Sequence, residues 1–238
     1  MSAGTLYLVP NLLGAIDPAA VLPQRTLDVA RGLDRWVVET PKAARAFLKS
    51  VGTPRPIASL VIEPLPERAT RGELERLVAP ALAGASIGLL SDAGCPAVAD
   101  PGAALVAAAH RRGVRVAPLV GPSAIVLALM ASGMNGQSFA FHGYLPVADA
   151  ARATRLKALE AESRSRSCTQ IFIETPYRNA AMIGALARSL DARTRVSVAC
   201  DLTLPTESVT VMTARDWRSA DASAWDRRPA IFLVDAGG

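Results

Sequence analysis

Short apolar runs alternate with stretches of helical spacing along almost the whole chain, and that alternation limits the possible folds more than any other feature. Thr5-Leu6-Tyr7-Leu8-Val9 reads as a strand stopped by Pro10, and Trp36-Val37-Val38 as another with Glu39 at its end. Residues 57–62, 86–90 and 114–119 supply three further strands, and helices are predicted over 43–50, 71–82, 101–112 and 124–132. The helix over 71–82 rests on the spacing of Leu74, Leu77 and Val78. A second series begins near Phe139, with strands at 139–143, 170–173, 196–200, 208–211 and 230–234 and helices after the first and second. Strands separated by helices predict mainly parallel pairing with helices on the faces. The expected fold is therefore α/β, with two αβα lobes over 1–119 and 120–238 and a cleft between them. Pro118 and Gly121-Pro122 punctuate the pattern at the boundary.

Composition excludes several functional classes. The longest uninterrupted apolar run, Ala124 to Ala131, is too short to cross a bilayer, and no signal-peptide pattern opens the chain. Cys95, Cys168 and Cys200 form no close pair, which argues against disulfides or a zinc knuckle and for the reducing cytoplasm. Two histidines, His110 and His142, leave little for a metal centre, so none is expected. The net charge of +5 favours anionic partners, and Arg152, Arg155, Lys157, Arg164 and Arg166 concentrate part of it. That stretch reads as a solvated helix face or as a contact with an anionic substrate. No Gly-x-Gly-x-x-Gly follows the first strand, and no phosphate loop or nucleophile elbow occurs.

The loop Ser91-Asp92-Ala93-Gly94-Cys95-Pro96, continuing to Asp100-Pro101-Gly102, is the main candidate for a ligand site. It follows a buried strand and precedes a helix, the position where open α/β sheets bind ligands. Its small side chains let a ligand reach backbone groups, and its acids accept hydrogen bonds.

Five segments in order carry a family resemblance: Gly4 to Pro10, Ser91 to Gly102, Gly121-Pro122-Ser123-Ala124, Phe141-His142-Gly143-Tyr144-Leu145-Pro146, and Phe172 to Arg178 followed by Ala199 to Thr203. Together they resemble the tetrapyrrole methylase superfamily of S-adenosylmethionine (SAM) dependent methyltransferases. Within it the chain is most similar to the bacterial small-subunit rRNA 2′-O-ribose methyltransferases. The resemblance implies two lobes, SAM as cofactor and a homodimer. It implies SAM contacts from Ser91, Asp92, Ala93, Ser123 and Ala124, with Thr175, Cys200, Leu202, Pro229 and Ala230 covering the adenosine. Pro10 and the loop after it would face the methyl group and the acceptor.

Methyl transfer needs alignment and exclusion of water, because the sulfonium donor is already activated. A ribose hydroxyl must also lose its proton, and Glu39, Asp100 and Glu174 are the candidate carboxylates. Each residue also has a plainer reading. Asp92 can close a local turn, Asp100 can cap the helix after Pro101, and Ser123 can start a helix. Glu39 and Glu174 can form surface salt bridges, His142 can be a satisfied, partly buried histidine, and Cys95 a packing residue.

The chain departs from the rRNA branch at the acceptor side. Pro-Thr-Pro-Ile-Gly-Asn-Leu of that branch is Pro10-Asn11-Leu12-Leu13-Gly14-Ala15-Ile16, and Glu-Asp-Thr-Arg is Glu39-Thr40-Pro41-Lys42. Ala-Arg-Glu-Leu-Thr-Lys is Ala199-Cys200-Asp201-Leu202-Thr203-Leu204, Lys-Gly-Glu is Arg228-Pro229-Ala230, and the C-terminal helical extension of that branch is not expected. Three functions follow from the resemblance: methylation of rRNA or a related ribosomal acceptor, methylation of a small tetrapyrrole-like or other non-rRNA acceptor, or SAM binding without catalysis. None involves a membrane.

Overall fold

The computed structural model describes residues 3–237, which form two compact units divided between Ser123 and Ala124. In the first, strands β1 (Thr5–Leu8), β2 (Arg35–Val38), β3 (Val61–Pro64), β4 (Ile87–Leu90) and β5 (Arg115–Pro118) pair in the order β3-β2-β4-β1-β5. Every pair is parallel. The crossovers are helices α1 (Gln24–Gly32), α2 (Pro41–Ser50), α3 (Arg71–Leu82) and α4 (Ala103–Arg111).

Strand alternation sends successive side chains to opposite faces. Trp36, Val38 and Leu90 pack with Leu27, Ala30, Phe47 and Leu48 of α1 and α2. Val37, Ile87 and Leu89 pack with Leu74, Leu77, Leu105 and Ala108 of α3 and α4. The neighbouring strands β2 and β4 therefore send the chain to opposite faces of the sheet, which opens a crevice at their C-terminal ends. The third predicted strand is displaced: residues 57–59 form a 3-10 turn and pairing begins at Val61.

The second unit contains α5 (Ala124–Ser132), β6 (Phe139–Tyr144), α6 (Asp149–Arg166), β7 (Thr169–Glu174), α7 (Asn179–Ser189), β8 (Arg195–Cys200), β9 (Ser208–Thr213), the single turn α8 (Ala214–Trp217) and β10 (Ala230–Asp235). Its sheet runs β6-β7-β10-β8-β9. Helix α5 packs on β8, β9 and β10. Helices α6 and α7 share a core with Phe172, Val198 and Phe232, in which the two phenylalanine rings stack at 5.6 Å.

The expectation of mainly parallel pairing is corrected in this sheet. Only β6 and β7 pair in parallel, whereas β7–β10, β10–β8 and β8–β9 are antiparallel. The cause lies in the connections. The 201–207 link between β8 and β9 is too short for a parallel crossover, and β10 inserts between β7 and β8 in the reverse direction.

Candidate functional site

Parallel pairing brings the C-terminal ends of β1, β2, β4 and β5 to one end of the first sheet. Glu39, at the end of β2, is half-buried; its N–H donates to the Leu90 carbonyl at 3.0 Å, and its Oε2 accepts from the Asp92 N–H at 3.0 Å. The Asp92 carboxylate accepts in turn from the N–H and hydroxyl of Thr40, at 3.1 and 2.9 Å. Asp92 therefore closes no local turn; it ties the β4 loop to the start of α2, 52 residues away in sequence. Thr40 also caps α2, accepting from the Ala43 N–H.

Asn11, which sequence reasoning passed over as a binding group, anchors the same loop from the other side. It is buried, and its amide nitrogen donates to the carbonyls of Ser91 and Asp92, both at 2.9 Å. Its backbone N–H donates to Gly94. No periodicity or motif marks Asn11. Thr40 could have been found from Thr-Pro at a helix start, the usual cap-then-proline order.

Asp100 lies within the electrostatic reach of this cluster. Burial, followed by the charges of Glu39 and Asp92, pushes its carboxyl from 3.8 up to about 6, and Ser91 opposes the shift. The Ser91 Oγ is buried and lies close enough to favour the anion, without a hydrogen bond of standard geometry. The capping reading of Asp100 is corrected: the N-cap of α4 is Gly102, at φ +139°, and no side chain caps it. Pro10 is buried, and Gly121 passes so close that a Cβ there would lie 2.4 Å from the Pro10 Cβ. Ala93 is exposed on the loop, Ser123 is half-buried at the end of this unit, and Cys95 points its thiol at the Pro122 carbonyl. An open cavity of about 650 Å³ lies between loop 11–17, one side of α2, and Asp92-Ala93.

In the second unit, β-pairing gathers another group. Ala230 sits opposite Glu174 on one side and Cys200 on the other. The Asp201 N–H donates to the Pro229 carbonyl at 3.1 Å. Thr175, Cys200, Leu202, Pro229 and Ala230 thus collect at one end of this sheet. Ala124 is half-buried at the start of α5. Burial pushes the Cys200 thiol up to about 11, so it remains an apolar wall residue. Asp201 and Thr203 have positive φ (50° and 73°). Arg228 holds the strained turn by donating to Asp201 at 2.8 Å and to the Thr206 carbonyl at 2.6 Å.

Glu174 is buried rather than a surface ion-pair partner. One oxygen accepts from the Thr175 N–H at 2.8 Å, and the other lies 3.1 Å from the Arg178 guanidinium. It organises the turn after β7. The basic stretch is also largely matched: Arg152 pairs with Asp149, Arg155 with Glu162 and Arg164 with Glu160. His142 is half-buried between Gln170 and Arg155. No group of His, Cys, Asp and Glu able to hold a metal ion occurs among the described residues.

The profile of the tetrapyrrole (corrin/porphyrin) methylases matches residues 24–217. The chain belongs to the tetrapyrrole methylase family. It is 35% identical over 211 residues to the ribosomal RNA small subunit methyltransferase I of Mesorhizobium japonicum, covering 88% of this chain and 67% of that protein. The protein of the same name from Xylella fastidiosa is 32% identical and covers 99% and 82%. Among solved structures, the methyltransferase CobJ superposes with a TM-score of 0.63 at 18% identity, covering 98% and 94%. The cobalt precorrin-4 methyltransferase CbiF gives 0.61 at 14%, covering 97% and 94%. These structural matches share the fold of this methylase.

Membership of a methylase family implies SAM as methyl donor in general, and each unit offers features that suit it. Thr203 Oγ1 in the second unit is buried without a hydrogen-bonding partner among the described residues, and Ser91 Oγ in the first has only the Asp100 carboxylate close to it, without a hydrogen bond of standard geometry. Such groups are costly unless a ligand satisfies them. The carboxylates of Glu39, Asp92 and Asp100 suit a ligand carrying an ammonium and a sulfonium.

Proposed function

We propose that this chain is a SAM-dependent methyltransferase whose acceptor is a ribose 2′-hydroxyl of small-subunit rRNA. The observation that carries the reading is the half-buried Asp100 carboxyl beside Ser91, Asp92 and Glu39, whose shift up to about 6 suits a base. A base with that value is ionised at neutral pH yet still takes a proton readily. Similarity along nearly the full chain to relatives named ribosomal RNA small subunit methyltransferase I supports the acceptor. The cavity is open to solvent, which favours a polymeric acceptor over an enclosed tetrapyrrole-like one.

When bound, SAM supplies a methyl group already activated by its sulfonium. Ser91, Asp92, Ala93, Ser123 and Ala124 hold its amino-acid end, and Thr175, Cys200, Leu202, Pro229 and Ala230 enclose its adenosine. Pro10 and the residues after it hold the acceptor. Asp100 would accept the proton of the acceptor hydroxyl, to which the bound donor would supply its methyl group. Glu39 and Thr40 position the Asp92 loop, and Glu174 positions Thr175 through its backbone. The enzyme works in the cytoplasm as a homodimer, a reading supported by the exposed Val126 and Met130 one turn apart on α5.

Small-subunit rRNA incubated with the protein and methyl-tritiated SAM tests this. The expected product carries label in a nucleotide whose 3′ linkage resists alkali, and Asp100→Asn lowers the rate at least 100-fold. SAM binding by calorimetry with no label in rRNA would remove the proposed acceptor. Asp92→Ala and Ser123→Trp are expected to weaken SAM itself.

A further inference from the structure

Helix α2 divides its surface between three environments. Ala44, Phe47 and Leu48 are buried in the core, while Ala43, Ala46 and Ser50 line the open cavity. On the remaining side stand Lys42, Arg45 and Lys49, at the i, i+3 and i+7 positions of one stripe. All three are exposed, and no ion pair or hydrogen bond engages any of their side chains among the described residues. The contrast with α6 is sharp, since Arg152, Arg155 and Arg164 there each have an acid.

The stripe borders the cavity directly. Ala46, on the cavity wall, is the i+4 neighbour of Lys42 and the i−3 neighbour of Lys49. Lys42 and Lys49 are separated by about 10 Å along the helix axis. Like charges held this close repel unless an anion sits among them. A membrane surface fits poorly, because the large apolar side chains of α2, Phe47 and Leu48, are both buried and none is left to enter a bilayer.

We propose that Lys42, Arg45 and Lys49 form the ridge that takes consecutive backbone phosphates of the acceptor RNA beside the cavity. The proposal rests on the rRNA reading above. A single-stranded phosphate neutralised by a cation contributes about 0.7 to the slope of log K against log salt.

Binding of fluorescein-labelled, transcribed small-subunit rRNA is measured from 0.05 to 0.3 M KCl for the full chain and two triple variants. Lys42→Gln/Arg45→Gln/Lys49→Gln is expected to lower the slope by about 2 and the affinity about 100-fold at 0.1 M salt. Its SAM binding is expected to remain unchanged, which reports an intact fold. Arg111→Gln/Arg112→Gln/Arg115→Gln removes equal charge at the end of α4 and the start of β5 and is expected to change affinity less than threefold. Equal losses in both variants, or no loss in the first, would overturn the ridge while leaving the rRNA reading intact. Loss of binding to phosphatidylglycerol vesicles with RNA affinity unchanged would overturn it in favour of a membrane contact. A wild-type chain that binds SAM and no RNA would sink both readings together.

Discussion

Burial and two neighbouring carboxylates keep the Asp100 proton bound to higher pH in the folded chain than in the unfolded one. The folded form is therefore favoured by this group below about pH 3.8, and that support is lost as the pH rises through about 6. Asp100→Asn removes the titration. Its melting temperature is expected to exceed that of the wild type at pH 8 and to match it near pH 4, by calorimetric scans at both values. An equal gain at both pH values would assign the effect to packing. Asn11 makes the opposite prediction. Its buried amide joins two loop carbonyls, so Asn11→Ala leaves both short of a donor and is expected to cost about 2–3 kcal/mol in urea unfolding. Proximity of Asp92 to the helix at Thr40 was not readable from sequence, because 52 residues separate the partners and only the parallel sheet brings them together. Asp100 is legible as an acid, but the sequence also suggests that it caps the next helix, which it does not. Proline at 101 suggested a helix start, whereas the chain turns once more through Gly102 at positive φ.

The strands of the first unit are legible because each is a short apolar run buried on two faces, as in β4, where Ile87 to Leu90 are all buried. Helix α1 escapes the same reading. It buries only Thr26, Leu27 and Ala30 and lacks a side-chain cap at Pro23, so apolar spacing and start signals are both weak. Strand direction in the second unit was equally hidden, since a buried run reads alike whichever way its neighbours run. The connection lengths carry that information, and the short link after Cys200 was the available sign. The central position of β4 makes a firm prediction at this scale. A Cβ on Gly88 would lie 2.6 Å from the Trp36 ring, itself locked against Phe47. Gly88→Ala is expected to destabilise the chain by about 1–3 kcal/mol, measured by urea unfolding. A neutral result would mean that the Trp36 ring moves freely.

For the molecule as a whole, the proposed cofactor contacts are drawn from both units, and ligand linkage tests that division. At SAM concentrations a hundred times its Kd, the bound form is stabilised by about 2.7 kcal/mol. Scanning calorimetry is expected to show an upward shift in unfolding for both units. A shift confined to one resolved transition would remove the contacts assigned to the other. The order of the second sheet has a consequence for biosynthesis. Strand β10 lies between β7 and β8, so the middle of that sheet stays open after β9 at Thr213 has been made, until Asp235 follows. At roughly 5–20 residues per second this leaves a gap of about 1–4 s in which β7 and β8 carry bare edges on the ribosome. The first sheet passes through a similar stage, because β4 lies between β2 and β1 and is completed at Leu90, well after Val38 has been made. Each nascent unit is therefore most exposed to aggregation and to chaperone capture before its inserted strand, β4 or β10, has been made.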